Sequence, residues 1–234
     1  MIKTIFWDVD GTLLNFHETE KKAITICFEH FGIDQVSDEV IARYSVINRR
    51  YWERLELGEL SRQEVLVGRF QEFFATEGIK NADAEAINLF YQDILGSIFF
   101  VTDDSLNLCK GLQGKVSQYV VTNGTARAQK KKMVNTGFDQ VMDGIFISEE
   151  IGFEKPSKAF FDVVFESIPE CDLKSCVIVG DSLTSDMRGG VNAGIQTCWY
   201  NPEHLPNNTE VTPDYEITDL HEVLDLLADE TFTN

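Results

Sequence analysis

Two aspartates stand at the end of the first apolar segment of the chain. Residues 2–7, IKTIFW, have the pattern of a buried strand, and Asp8 and Asp10 follow in the stretch DVDGT. A carboxylate at the end of a buried strand is costly unless something pairs with it or uses it. Asp8 is suited to act as a nucleophile, and Asp10 could protonate a leaving group and then deprotonate water. The alternative for Asp10 is a turn residue that caps Gly11, and Thr12 could hold that turn through its hydroxyl.

A third aspartate, Asp181, ends another apolar segment, CVIVG at 176–180. Mg²⁺ prefers a few carboxylates together with water and phosphate oxygens. We therefore predict a metal site formed by Asp8, the main-chain carbonyl of Asp10 and Asp181. Asp186 is expected to orient a metal-bound water or a neighbouring ligand, or to act as an acid that favours the dipole of a helix start.

Thr122 and Asn123 follow the apolar segment that begins at residue 119. A hydroxyl and a main-chain N–H at a strand end can hold phosphate oxygens. The alternative is an ordinary Asn-Gly turn. Together with the aspartates, the pair favours phosphate binding.

Strands and helices alternate through most of the chain. Segments 119–124, 144–148, 176–181 and 195–200 have the pattern of strands, and a last helix is predicted near 219–229. This alternation is typical of a parallel sheet with helices on both faces. We therefore predict an α/β fold with a Rossmann-like core. Ligands bind at the carboxyl ends of the strands in such sheets, so the polar residues there are expected to converge.

The segment 16–97 is different because its apolar residues recur at helical spacing and no clear strand pattern occurs in it. Ser61 and Glu64 form a capping-box signature at the start of one of its helices. We predict an inserted all-α cap domain at 16–97. The α/β core would then consist of residues 1–15 and 98–234.

The composition narrows the classes of partner. The net charge of −19 argues against nonspecific binding to nucleic acid or to an anionic membrane. An anionic substrate would need a local cationic site. The five cysteines are scattered without a CxxC pair, as expected for reduced, buried thiols. No signal peptide or membrane span is expected, and we predict a cytoplasmic protein with a frayed TFTN tail.

Lysines occur in two places that bear on the site. Lys130, Lys131 and Lys132 form a charge run on a helix and are expected to lie on a solvated face. Lys158 is expected to be exposed, although it could serve as a substitute cation.

Four stretches in order carry a resemblance to a known family: DVDGT (8–12), TNG (122–124), FEKPSK (153–158) and GDSLTSD (180–186). They resemble the four motifs of the haloacid dehalogenase-like hydrolase superfamily, most of whose members are phosphatases. The resemblance implies Mg²⁺-dependent phosphate chemistry through an aspartyl-phosphate. It also implies that Lys155 bridges the phosphate and the nucleophile.

The resemblance can be narrowed. Dehalogenases of the superfamily lack an acid at the position of Asp10, and its phosphonate hydrolases have alanine there. The helical segment and the chain's end resemble bacterial pyrimidine 5′-nucleotidases, on the features Asn48, Trp52, Gly58 and 68–70 (Gly-Arg-Phe). The implied substrate is a small phosphate ester, a pyrimidine nucleoside 5′-monophosphate. The alternatives are a phosphatase or phosphomutase acting on a sugar phosphate or phosphoglycolate, and a catalytically silent phosphate-binding protein.

The resemblance also suggests what the cap would do. It would close over the strand ends, with hinges near residues 15–17 and 98–102, and would set substrate preference. Phe16, Trp52 or Tyr91 could stack on a base, although most such aromatics belong to a core. The sequence leaves the oligomeric state open.

Overall fold

The structure is a computed structural model that describes residues 1–33 and 37–228. The strands are β1 (Thr4–Trp7), β2 (Ser117–Thr122), β3 (Gly144–Ile147), β4 (Cys176–Gly180), β5 (Gln196–Tyr200) and β6 (Tyr215–Ile217). The helices are α1 (Phe16–His30), α2 (Asp38–Glu56), α3 (Arg62–Glu77), α4 (Ala84–Leu95), α5 (Ser105–Leu112), α6 (Ala126–Thr136), α7 (Ser148–Ile151), α8 (Lys158–Ser167), α9 (Arg188–Ala193) and α10 (Val223–Ala228). A π-helical turn spans Leu183–Met187.

The six strands form one parallel sheet in the order β3-β2-β1-β4-β5-β6. This confirms the predicted α/β fold. Strand β1 lies between β2 and β4, with Trp7 opposite Val120 and Val179. Because the three strands are parallel and in register, the loops after them meet at one edge of the sheet. All four residues of β1 are buried, as expected for a strand covered on both faces.

Helices α1–α4 follow β1 and precede β2, and we call them the helical insert. They enclose an aromatic core of their own that contains Phe28, Tyr44, Phe70, Phe73 and Tyr91, with ring centroids of neighbouring pairs 5.2 to 6.4 Å apart. Burying such large rings stabilises the insert by non-directional apolar contact.

The helix ends of the insert follow local sequence signals. The predicted capping box is confirmed, since Ser61 and Glu64 exchange backbone and side-chain hydrogen bonds at the start of α3. Gly58, just after α2, has a φ of 73°, a left-handed conformation that glycine adopts without strain.

Some predicted boundaries are corrected. Strand β2 begins at Ser117 and ends at Thr122, so the Asn-Gly pair lies in the loop. Helix α8 begins at Lys158 with Ser157 as its N-cap, so Pro156 precedes the helix. The short edge strand β6 was not predicted, because its three residues are mostly exposed and lack an apolar run. The end of the last predicted helix and the TFTN tail lie outside the described residues.

Two further structural findings concern membrane-spanning helices and the cysteines. None of the described helices combines the length and the apolar character that crossing a bilayer requires. All five cysteines are free thiols, of which Cys171 is only half-buried and the other four are buried.

Candidate active site

Lys155 lies at the centre of the polar cluster where β1, β2 and β4 end. Its Nζ donates to Asp8 Oδ1 at 2.7 Å, to Asp186 Oδ1 at 2.6 Å and to the carbonyl of Val121 at 2.8 Å. The side chain is 1% exposed, so its three donors are all used inside the protein. A buried ammonium is stable only with such complete pairing. The lysine therefore fixes the nucleophile candidate Asp8 against the sheet edge.

The surroundings change the proton affinity of these groups. Burial raises the pKa of Asp8 to about 7, although the positive charge of Lys155 opposes that rise. Burial lowers the pKa of Lys155, but the carboxylates of Asp186 and Asp8 outweigh it and raise the pKa above its usual value. The lysine is accordingly a permanent cation within the cluster. An anionic Asp8 needs further positive charge near it.

Three carboxylates lie close enough to share one cation. Oxygens of Asp8, Asp181 and Asp186 all lie within 4.8 Å of one another. Asp181 faces the cavity, and the protein around it and the charges of Asp8 and Asp186 raise its pKa well above the usual range. Carboxylate oxygens with one accessible side suit Mg²⁺, which keeps several of its waters. The residues present therefore fit the ion.

Asp186 has a more central place than the sequence suggested. It accepts from Lys155 on one oxygen and from the Ser182 N–H on the other, at 3.2 Å. Its side chain is 1% exposed. These two hydrogen bonds agree with the predicted role of orienting a neighbouring ligand. Asp186 also lies close enough to Asp8 and Asp181 to belong to the group of carboxylates that could share a metal ion.

Thr12 and Gly11 bring the loops after β1 and β4 together. The Thr12 hydroxyl donates to Asp181 Oδ1 at 3.3 Å and accepts from the Asp181 N–H at 3.1 Å. Gly11 has a φ of 98°, and a Cβ there would lie 2.4 Å from Asp181 Oδ2. Any larger residue would collide with the carboxylate, so the glycine permits this close approach.

Asp10 is held by helix α6. Its Oδ2 accepts from Gln129 Nε2 at 2.6 Å, and its Oδ1 accepts from Lys132 Nζ. The prediction of a solvated lysine run was therefore wrong for Lys132, which is 1% exposed. Lys130 and Lys131 are exposed and pair with Glu150 and Asp93.

The sequence did not identify Gln129 or Lys132 of α6 as site residues. The signal available was spacing, because the buried positions of α6 include Ala128, Gln129, Lys132 and Met133, which share one helical face. A run of three lysines on a helix necessarily spreads over more than one face. One of them can therefore be buried while its neighbours stay in water.

Asn123 supports the loop of Lys155. Its Oδ1 accepts from the Lys155 N–H at 2.9 Å, and its Nδ2 donates to the Lys155 carbonyl at 2.8 Å. The Thr122 hydroxyl accepts from the Gly124 N–H at 3.1 Å and from Gln129 at 3.2 Å. Both predicted residues thus lie in the cluster, and their phosphate contacts stay predictions. Lys158 lies apart, exposed and paired with Asp162.

A cavity of about 630 Å³ lies between the sheet edge and the helical insert. At the sheet edge it is lined by Asp8, Asp10 and Asp181, and on the insert side by Phe16 and Trp52, among others. Such a volume is within the usual range for small-molecule sites, about 300–1,000 Å³.

Tyr91 was one of the aromatics predicted to stack on a base, and the structure places it elsewhere. It is fully buried in the aromatic core of the insert and is absent from the described lining of the cavity. The other two candidates, Phe16 and Trp52, do line the cavity.

The insert contributes a buried polar network to the far side of the cavity. Asn48 donates to Glu20 at 2.6 Å and accepts from Arg69 at 2.6 Å, and Arg69 also donates to Asn88 at 2.9 Å. Trp52 donates its ring N–H to Asn48. Burial raises the pKa of Glu20, against the hydrogen bonds that it receives. The sequence singled out Asn48, Trp52 and Arg69, but not Glu20.

Several polar contacts join the insert to the rest of the chain, including a hydrogen bond from Thr125 to Gln92 of α4 and ion pairs of Arg127 and Lys131 with Asp93 of α4. Two more lie on opposite sides of the cavity. Arg62, at the start of α3, donates to the Asn123 carbonyl, to Ser148 Oγ and to Glu154. On the other side of the cavity, Thr184 donates to Glu56 at the end of α2. The insert is thus bonded to loops that carry the candidate site residues.

Comparison with known proteins agrees with this geometry. Residues 2–194 match the model of the haloacid dehalogenase-like hydrolase family. The chain therefore belongs to that family, and it is a hydrolase by class.

Individual relatives are similar over almost the whole chain. YfnB of Bacillus subtilis, named only as a HAD-hydrolase, is 37% identical over 225 residues, which cover 96% of this chain and 95% of that protein. A crystal structure of YfnB bound to magnesium has a TM-score of 0.91 and 36% identity, and covers 97% of this chain and 98% of that one. The pyrimidine 5′-nucleotidase PynA of Streptococcus pneumoniae is 32% identical, over 96% of this chain and 94% of that protein. The pyrimidine 5′-nucleotidase YjjG of Escherichia coli is 27% identical, over 96% and 97%.

Proposed function

We propose that the protein is a Mg²⁺-dependent phosphatase that hydrolyses phosphate monoesters through an aspartyl-phosphate. The observation that carries the proposal is the pairing of Lys155 with Asp8 beside two further carboxylates, Asp181 and Asp186, at the base of the cavity. Phosphoryl transfer requires an aligned nucleophile and cations around the phosphate, and this arrangement supplies the first and part of the second. It argues against a silent phosphate-binding protein, which would need neither a nucleophile nor an acid.

The chemistry follows from the positions of the side chains. A carboxylate oxygen of Asp8 attacks phosphorus, the bond to the ester oxygen breaks, and that oxygen takes a proton from Asp10. Asp10 then removes a proton from water, which attacks the aspartyl-phosphate and releases inorganic phosphate and free Asp8. Lys155 holds Asp8 in place and offsets negative charge throughout. Mg²⁺, held by Asp8, Asp181 and the main-chain carbonyl of Asp10, would supply the remaining positive charge.

For the substrate, we propose a pyrimidine nucleoside 5′-monophosphate. Two relatives of nearly full coverage, PynA and YjjG, are named pyrimidine 5′-nucleotidases. The cavity also offers aromatic side chains, Phe16 and Trp52, and a polar far end around Asn48, which suit a flat base with polar edges. A sugar phosphate or phosphoglycolate is the second candidate.

We propose further that residues 16–97 form the cap of this enzyme, with the α/β core made of residues 1–15 and 98–234. The insert has its own aromatic core, which only Ala128 of α6 joins from the other part of the described chain. Its other contacts with that part include polar ones of Arg62, Glu56, Gln92 and Asp93, and an interface of this kind supports a unit able to open. Opening at 15–17 and 98–102 would admit substrate. A cytoplasmic location stays a prediction.

A substrate panel tests the proposal. Purified protein is assayed with Mg²⁺ against UMP, dUMP, TMP, purine monophosphates, sugar phosphates and an aryl phosphate. We expect turnover that EDTA abolishes and that falls by at least about 10³-fold in Asp8→Asn, since removing a nucleophile has effects of that order. Asp162→Asn, at an exposed carboxylate paired with Lys158, is the matched control and should keep full activity.

Different results reject different parts of the proposal. Absence of turnover on every ester, or full activity of Asp8→Asn, would reject the phosphatase. Strong preference for a purine or a sugar phosphate would reject only the pyrimidine substrate.

A further inference from the structure

The two aspartates of the DVDGT stretch are paired with different buried lysines. Lys155 pairs with Asp8 and Lys132 pairs with Asp10, and both lysine side chains are 1% exposed. The first pairing follows from the family resemblance. The second comes from α6, outside the four stretches that carry that resemblance, and nothing in the site chemistry described so far uses it.

The two oxygens of Asp10 are bound from the same helical face. Lys132 occupies Oδ1, and Gln129, three residues earlier on α6, occupies Oδ2. The Asp10 side chain is 23% exposed, so without these donors it would be free to turn towards water. With both oxygens accepting, the plane of the carboxylate is fixed relative to Asp8. When one oxygen carries the proton to be transferred, the donor on the other oxygen still holds the group.

The position of Gln129 against Asp10 leaves one of its own polar atoms unpaired and requires a glycine beside it. Its amide nitrogen bonds both Asp10 and the Thr122 hydroxyl, while its Oε1 is buried without a partner among the described residues. A Cβ on residue 124 would lie 2.0 Å from Gln129 Nε2, so Gly124 leaves the space that the amide fills. An unpartnered buried carbonyl costs about 1–3 kcal/mol.

Lys132 carries a similar cost. Its ammonium is out of water, and beyond Asp10 its nearby electron-rich group is the ring of Phe16, with the nitrogen 5.7 Å from the centroid. A buried charge with a single direct carboxylate partner contributes little net stability. Neither side chain is therefore explained by the stability of the fold alone.

We infer that Lys132 and Gln129 are positioning residues that hold the Asp10 carboxyl group where it can transfer a proton to the leaving oxygen. The inference rests on the proposed function, because it assigns a role within that reaction. A general acid must lie within hydrogen-bond reach of the atom it protonates, and a displacement of about 1 Å can cost about 10²-fold in rate. Two donors from one rigid helix restrict such displacement.

The inference has a kinetic signature that structural damage would not produce. A leaving group that departs readily as an anion needs little proton transfer, whereas a poor one depends on it. para-Nitrophenyl phosphate and phenyl phosphate are similar in size. The para-nitrophenolate group departs readily as an anion, whereas the phenolate group is a poor leaving group. Loss of positioning should therefore reduce kcat/KM for phenyl phosphate much more than for para-nitrophenyl phosphate.

The experiment measures kcat/KM for both esters, with Mg²⁺, in Lys132→Met and Gln129→Met. We expect kcat/KM for phenyl phosphate to fall about 10²-fold in Lys132→Met and about 10-fold in Gln129→Met, with para-nitrophenyl phosphate reduced less than about fivefold. Lys130→Met, on the same helix at an exposed position, is the matched control and should leave both values unchanged. Equal reduction of both esters, or no reduction, would overturn the inference.

A second comparison protects the test against a variant that does not fold. In an Asp10→Asn background the positioned acid is gone, so adding Lys132→Met should no longer change the ratio between the two esters. That double variant also removes both members of the pair, so no unpaired buried charge remains. A persistent change in the ratio would contradict a role through Asp10. Absence of turnover in the unmodified protein would instead reject the proposed function.

Discussion

The sheet edge and the helical insert each bury a cationic side chain, but the hydrogen-bond partners of that cation differ between the two regions. Lys155 bonds two carboxylates directly and a backbone carbonyl as well. Arg69, 1% exposed in the insert, bonds the amide oxygens of Asn48 and Asn88, and its Nε has no partner among the described residues. Asn48 then donates to Glu20, so an amide stands between the two opposite charges.

The difference follows from the backbone that supplies the groups. At the sheet edge the partners come from loops after parallel strands, which can bring two carboxylates onto one nitrogen. In the insert they come from helix interiors, whose side chains meet across fixed spacings between packed helices. The sheet edge therefore concentrates charge for chemistry. The insert spreads charge over a hydrogen-bond network that lines the far side of the cavity.

Removing the sheet-edge cation should produce the largest effect. In Lys155→Met, Asp8 and Asp186 lose their shared partner, and we expect kcat/KM to fall by about 10³-fold, or about 4 kcal/mol. The free energy of unfolding should also fall by about 3–5 kcal/mol, because buried carboxylates are left unpaired. Steady-state rates and urea unfolding measure the two effects. Lys158→Met, which breaks an exposed pair, should change neither, and near-wild-type activity of Lys155→Met would remove the lysine from the proposed chemistry.

The insert network should respond mainly in stability. In Arg69→Met, Asn48 and Asn88 lose a charged donor and the charge near Glu20 disappears, so we expect unfolding to become easier by about 3 kcal/mol. Urea unfolding of Arg69→Met is compared with that of Arg50→Met, which breaks a half-exposed pair with Glu72. If both variants lost the same small amount of unfolding free energy, the network would contribute no more to stability than a surface ion pair does.

Glu56 provides a pH test at the junction of the two regions. Burial raises its pKa to about 7, against the lowering effect of the Thr184 hydrogen bond. A carboxyl group whose pKa is raised by folding favours the protonated form. Its contribution therefore destabilises the fold progressively as pH rises from the unfolded value, about 4.3, towards 7.

The matching variant is Glu56→Gln, which can still accept from Thr184. We expect the free energy of unfolding of this variant to equal that of the unmodified protein near pH 4 and to exceed it by about 2 kcal/mol at pH 8. Urea unfolding in metal-free buffer measures the difference. A difference that is constant over this pH range would show that Glu56 is ionised without penalty.

The smallest expected effect concerns the bonds of Arg62 across the junction. In Arg62→Met, the insert loses its donor to Asn123, Ser148 and Glu154, and closed forms should become less populated. We expect kcat/KM to fall about fivefold, or about 1 kcal/mol, with little change in the unfolding free energy. Arg54→Met, which breaks a pair within the insert, is the control. An unchanged kcat/KM would leave Arg62 as a surface contact only.

The sequence was most informative where a polar residue ends or follows a buried strand. Asp8, Thr122 and Asp181 were placed correctly at one edge because apolar runs mark parallel strands, and the ends of such strands meet. The helical insert was also recognisable, since caps such as Ser61 act over only a few residues. Local signals of this kind do not depend on the rest of the chain.

Contacts between distant segments could not be predicted in the same way. The sequence placed Lys132 in water with its neighbours, because a lysine run by itself does not show which face of α6 packs inward. Tyr91 was a candidate for the cavity but belongs to the core of the insert, since its helix turns that face towards Tyr44 and Phe70.

By itself the sequence determined the α/β class, the interruption by helices and the acids at the strand ends, because strand and helix periodicity and turn chemistry are local. Lys155 was identified only through the resemblance of the four stretches to a known family. Only the tertiary structure decided which oxygen meets which donor. It joined Asp10 to α6, Lys155 to two carboxylates, and Arg62 to the loops of the sheet edge. Those pairings depend on how helices pack against the sheet, and that packing is set by the whole core rather than by any single stretch.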